Sequence, residues 1–239
     1  LAPTGIAPEA QLVAVRVFGK DGTGPTSDLL AGLNWLVVQA GPLKLRVLNL
    51  SLGSADLFSG TCDAADPVTA KALQLLATKG VLTFAAAGND ASPAQLATPA
   101  CLKAAVAVGA TYTQNYGSQA FGKLCTDSAT SGAKVACFSN RAPKLKLVAP
   151  GAFVAGAVPG GKVATLAGTS QAVPVAAGVA ALLFACNPLA SPAQVHAALQ
   201  AAAKPLTDSK TAQVFGLVQA AAAAKLACPW AKPGGAGKP

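Results

Sequence analysis

An α/β fold in three layers, a mostly parallel sheet flanked by helices, is predicted by two observations. Short runs rich in β-branched residues alternate with segments of helical spacing, and the β runs are apolar at nearly every position rather than at every second one. Alternation requires right-handed crossovers between parallel strands, and continuous apolarity requires cover on both faces of the sheet. Composition agrees, since 52% of the 239 residues are hydrophobic and 11% charged, enough to fill one large domain.

Residues 12–18, 45–51, 81–86 and 105–110 read as strands. Between them, residues 27–40 and 66–79 have helical spacing, with Ser27 and Asp66 as expected N-caps and Gly41 and Gly80 as stops. Residues 111–140 are loop-rich, and residues 143–165 form a strand region broken by proline and glycine. Three helices are expected to close the domain: residues 169–185, residues 191–203 with Ser191 as cap and Pro192 at the first helical position, and residues 211–224. Residues 229–239 are mostly Pro, Gly and Lys with almost nothing to bury, which predicts a flexible tail or linker beyond a domain of residues 1–228.

Charge and composition exclude several classes of function. The net charge is +9, but the lysines are scattered and only 5% of residues are aromatic, so the basic stripe with stacking rings of a nucleic-acid surface is missing. The uncharged stretch between Lys162 and Lys204 has a strongly apolar part shorter than the roughly 20 residues a bilayer needs, and it carries Pro174 and Gly178. It reads as a buried helix, and no membrane span is expected. The chain has no methionine, so it is read as a processed product or fragment. Six cysteines, an even number, point to an oxidising compartment and secretion.

The chemistry centres on Ser170. In Gly168-Thr169-Ser170-Gln171-Ala172-Val173-Pro174 a serine follows a glycine turn at the mouth of a long helix. Unpaired N–H groups and the positive end of the helix dipole there stabilise negative charge developing on a bound carbonyl. Upstream lie Ala7-Pro8-Glu9-Ala10 with the run from Val13 to Phe18, Asn49-Leu50-Ser51-Leu52-Gly53, Ala85-Ala86-Ala87-Gly88-Asn89, Ser139-Asn140, and Val148-Ala149-Pro150-Gly151. This ordered set resembles the later part of a subtilisin-like serine peptidase (subtilase) domain over about residues 5–203. The resemblance implies that Ser170 is the nucleophile and that Asn89 donates its side-chain amide to the oxyanion. It also implies that Ser51, Leu52, Gly53, Ala86, Ala87 and Gly88 border the bound polypeptide substrate.

The same resemblance exposes what is missing. In the family the triad runs aspartate, histidine, serine along the chain, and the first two precede the Ala7-Pro8-Glu9-Ala10 segment. The domain is therefore expected to be incomplete at its N-terminus. The single histidine, His196, falls on a late helix and is read as a packing or solvated residue, while Asp21, Asp28 and Asp66 occupy turn and helix-start positions. Gln171, Val173 and Val175 depart from the usual residues flanking the serine. Two functions follow: the serine-bearing part of a secreted endopeptidase, with a companion chain carrying the aspartate and histidine, or a non-catalytic pseudoenzyme domain in an extracellular assembly.

Family resemblance also suggests a Cys62–Cys101 disulfide. Cys125 and Cys137 bracket a polar loop, and Cys186 and Cys228 stand at the two ends of the last helical region, although six cysteines allow 15 connectivities. No cofactor is expected. Relatives bind calcium, but the sequence identifies no metal site, and a zinc site is disfavoured by the lack of a C-x-x-C pair and of a second histidine.

Overall fold

The structure, a computed structural model, describes residues 4–228. The expected tail at residues 229–239 lies outside the described residues. In chain order the elements are α1 (Thr26–Gln39), β1 (Val47–Leu50), β2 (Leu57–Phe58), α2 (Pro67–Thr78), β3 (Leu82–Ala86), β4 (Leu96–Ala97) and β5 (Ala105–Tyr112). They continue with β6 (Gln119–Phe121), β7 (Cys125–Asp127), β8 (Leu147–Ala152), β9 (Val154–Val158), β10 (Lys162–Leu166), α3 (Thr169–Cys186), α4 (Pro192–Ala202), β11 (Lys204–Thr207), β12 (Val214–Leu217) and α5 (Ala220–Ala227).

The central sheet has six strands in the order β1-β3-β5-β8-β12-β11. All its pairings are parallel except the β12–β11 hairpin. Strand geometry sends successive side chains to opposite faces, so one strand feeds two cores. Phe84, Val108 and Leu147 meet Val173, Leu183, Val195 and Leu199 on the face covered by α3, α4 and α5. Ala85, Ala107 and Val148 meet Leu33, Leu36, Leu73 and Leu76 of α1 and α2 on the other. This is the expected three-layer α/β arrangement. Helix α3, buried along ten of its positions, packs against β1, β3, β5 and β8.

Local signals account for several boundaries. Asp66 caps α2 by accepting the Thr69 N–H at 3.2 Å. Ser191 and Gln194 form a reciprocal capping box at the start of α4. Gly80 ends the turn after α2 at φ +84°. Three disulfides form: Cys62–Cys101, the pair the resemblance implies, and Cys125–Cys137 and Cys186–Cys228, whose connectivity the sequence leaves open.

Four expectations need correction. Residues 12–18 form no strand; they run alongside α1, where Gly32 leaves room for Val15 and Val17, and Leu12 is 91% exposed. A strand requires a ladder partner, and this segment pairs with none among the described residues. The cap of α1 is Pro25, not Ser27, because proline at an extended φ of −68° already starts the turn. The helix expected over residues 211–224 is instead β12 followed by the shorter α5. Val214-Phe215-Gly216-Leu217 takes the sheet position between β8 and β11, burying Phe215 to 2% exposure, so tertiary pairing overrides the alanine-rich helical pattern. Residues 111–140 hold more order than a loop, since β5 extends to Tyr112 and β6 and β7 pair as a hairpin.

Candidate active site

Ser170 sits at the carboxyl ends of the parallel strands, where α/β sheets place their sites. It is the second residue of α3, preceded by Gly168 as N-cap, whose N–H donates to Gly151 O at 2.9 Å. Gly151 is required there: a Cβ would stand 2.8 Å from the Ala110 and Ala172 methyls and from Gly168 O. The Ala149-Pro150-Gly151 sequence thus lets β8 and the mouth of α3 approach each other closely.

Asn89 follows β3 and reaches the same helix mouth. Its Oδ1 accepts the Thr169 N–H at 2.8 Å and the Thr169 hydroxyl at 3.0 Å. A backbone N–H can only donate, so the amide orientation is fixed with Oδ1 on Thr169 and Nδ2 facing away. Nδ2 is then available to a substrate oxygen, beside the Ser170 N–H of the first helical turn.

The loop carrying Asn89 is held from behind by Asn140, which is fully buried. Its Oδ1 accepts the N–H groups of Asp90 at 2.9 Å and Ser92 at 3.0 Å. Its Nδ2 donates to Ala87 O at 3.2 Å and to Asp90 Oδ2 at 2.9 Å. Gly88, at φ +106°, leaves the space that the Asn140 amide fills, so a side chain there is barred both by conformation and by contact.

Ser170 Oγ donates to Ser51 O at 3.1 Å, and Ser51 Oγ donates to Ser170 O at 2.8 Å. Among the described residues no imidazole or carboxylate meets the serine hydroxyl. The histidine lies elsewhere: His196 on α4 is half-buried, and burial together with the charge of Lys144 lowers its pKa. Lys144 itself, pushed down to about 8 by burial, donates to Ala105 O, the first residue of β5. His196 is therefore at the amino ends of the strands, and Ser170 at the carboxyl ends. The eight residues of β5 alone span about 26 Å at strand rise.

A pocket of about 190 Å³ opens beside Ser170. Of the substrate residues expected from the sequence, Leu52, Gly53, Ala86 and Gly88 line it. Ser51 instead bonds the Ser170 backbone, and Ala87 points into the core under α1 and α2. Sequence reasoning missed Ser54, Asp90, Ala97 and Thr169 as lining residues. Asp90 was recognisable by its adjacency to Asn89, whereas Ala97 arrives through the turn after β4 and carries no local signal. Among the described residues no three His, Cys, Asp or Glu side chains cluster.

Comparisons with known proteins place the chain in a family. The sequence model of the subtilase family matches residues 3–218. Subtilisin-like protease 1 of Arthroderma gypseum is 39% identical over 184 residues, and that of Trichophyton verrucosum 35% over 208 residues. These alignments cover 76% and 86% of this chain but only 33% and 45% of the relatives, so the chain spans less than half their length. Among solved structures, the prenylagaramide maturation protease PagA superposes with a TM-score of 0.73 at 30% identity, covering 94% of this chain and 76% of that one. A cold-adapted subtilisin-like serine proteinase gives 0.71 at 30% identity, covering 92% and 72%. The family model spans most of the chain and the fold is shared with these structures, and the chain belongs to the subtilase family.

Proposed function

We propose that this chain is the serine-bearing part of a secreted subtilisin-like serine endopeptidase. Ser170 attacks the scissile carbonyl and forms the acyl-enzyme, while the general base and its orienting carboxylate come from a companion segment outside these 239 residues. Asn89 Nδ2 and the Ser170 N–H stabilise the tetrahedral oxyanion. The observation that carries this reading is the fixed orientation of Asn89, whose oxygen is spent on Thr169 and whose N–H donors are left for a substrate.

One observation favours a second reading, a non-catalytic extracellular module. The Ser170 hydroxyl is satisfied by the Ser51 carbonyl, an acceptor too weakly basic to activate it. Two measurements separate the readings. Intact mass and N-terminal sequencing of native material tell whether a companion fragment copurifies, and fluorophosphonate labelling tells whether Ser170 is activated, with Ser170→Ala as the blank. The peptidase reading expects slow labelling of the chain alone and fast labelling in the presence of the companion. Fast labelling of the chain alone sinks the incomplete-site reading. No companion and no labelling leave the structural module.

A further inference from the structure

We propose that the amino end of the sheet, opposite Ser170, is a docking surface for an anionic lipid bilayer. Ser170 and its neighbours take no part in it.

Lysines that are scattered along the sequence are gathered by the topology. Parallel strands start at one end of a sheet, and the starts of β1, β3 and β5 are level, since Leu48 pairs with Thr83 and Thr83 with Ala105. An exposed lysine stands two or three residues before each of them: Lys44 before β1, Lys79 before β3 and Lys103 before β5. Lys146, also exposed, immediately precedes β8, whose first residue is staggered to the level of Val108. Neighbouring strands lie about 4.8 Å apart, so these cations crowd together. Neither ion pair among the described residues, Lys134–Asp127 or Arg141–Asp208, uses any of them. Acids are distributed the other way, with Asp56 and Asp90 following β1 and β3 at the carboxyl ends. At the amino end Asp63, which accepts the Lys103 N–H at 3.1 Å, is outnumbered.

Exposed leucines stand among these charges. Arg46, the residue before β1, donates Nη1 to Pro188 O at 2.7 Å and Nη2 to Ala190 O at 2.6 Å, with its guanidinium 4.2 Å from the Phe184 ring. Both neighbours of Leu189 are thereby anchored at the amino end of the sheet, and Leu189 itself is held out, 96% exposed. Leu43, beside Lys44, is exposed as well. A soluble polyanion would neutralise the lysines but offers a leucine nothing to enter. The boundary between headgroups and acyl chains accepts both, anionic headgroups facing the lysines and Leu189 reaching the hydrocarbon. Lysine, a flexible point charge, also suits a fluid array of headgroups better than the fixed fork of arginine does. In this orientation the 18 residues of α3 hold Ser170 about 27 Å from the lipid, on the far side of the molecule.

Vesicle binding tests this without turnover or companion, so it stands apart from the peptidase reading. The full chain is sedimented with vesicles of phosphatidylcholine alone or with roughly 30 mol% phosphatidylglycerol. Binding to the anionic vesicles is expected to be at least about 30-fold stronger, at about fivefold per lysine near the surface. Lys79→Gln with Lys103→Gln should weaken it about 20-fold. The same charge removed beyond the carboxyl ends, by Lys123→Gln in the β6–β7 turn with Lys162→Gln at the start of β10, should change it less than about threefold. Leu189→Ser, a change outside the packed core, should weaken vesicle binding about tenfold and leave retention on heparin unaltered. Equal losses from the two lysine pairs would mean that the net charge of +9 acts without a defined face. A serine variant that binds vesicles as the parent does would assign the face to soluble polyanions. Either result overturns the proposal, as does equal binding to the two kinds of vesicle.

Discussion

At the scale of single residues, Thr169 makes Asn89 directional. Its N–H and its hydroxyl both donate to Asn89 Oδ1, and the hydroxyl oxygen also accepts the Gly88 N–H at 3.3 Å. Thr169→Val keeps the shape and the backbone donor but removes the hydroxyl from both contacts. Fluorophosphonate labelling of Ser170 in the presence of the companion should then slow about tenfold, with a stability loss of about 1–2 kcal/mol seen in urea unfolding. Asn89→Ala should slow labelling by about 10²–10³, by analogy with the corresponding donor in subtilisin. If the threonine variant labels at the parent rate, the Thr169 hydroxyl does not orient the amide.

At the scale of elements, the sequence revealed the sheet strands whose apolarity is continuous and missed those defined by their partners. Residues 81–86 and 105–110 were legible because each buries both faces, as β3 and β5 do at every position. Residues 12–18 carry the same composition, yet without a ladder they remain extended and largely exposed on α1. Conversely, β12 hides inside an alanine-rich stretch, and only its place between β8 and β11 makes it a strand. Ser170 and Asn89 could be singled out because their motifs are local. Ala97 and Ser54 could not, since a pocket wall is made by loops that meet only in three dimensions. Hydrogen exchange measures the difference between the two extended segments: amides of residues 12–18 should exchange at least about 10³-fold faster than those of Ala107 and Val108 in β5. Comparable protection in both would show that residues 12–18 do pair.

At the scale of the whole molecule, a buried ion pair ties the last hairpin to the loop behind the site. Arg141 Nε and Nη2 grip Asp208 at 2.8 and 3.0 Å, and both residues are about 99–98% removed from solvent, at 1% and 2% exposure. Burial opposes ionisation of Asp208, but the Arg141 guanidinium and the two Thr211 donors outweigh it and hold the carboxyl below its usual range. Asp127 behaves alike, with burial opposed by Lys134, Tyr112 and the Cys137 N–H. The unfolded chain then binds more protons than the folded one as pH falls through about 4, so stability is present above that range and is lost on acidification. Urea unfolding at pH 7 and pH 3 should show this loss. Asp208→Asn should be about 3–5 kcal/mol less stable at pH 7, because it strands Arg141, and should lose less on acidification. An unchanged pH slope would remove Asp208 from the account.

The placement of Ser170 and His196 at opposite ends of the sheet has a consequence for how activity is counted. No rotamer change or loop motion carries an imidazole across the length of β5, so for these 239 residues the missing base is a matter of composition and not of conformation. Any hydrolysis through Ser170 becomes a property of a pair of segments. Where the two are separate molecules, mass action governs it: the rate saturates with the concentration of the second segment, is halved at its dissociation constant, and vanishes on dilution while the fold described here persists.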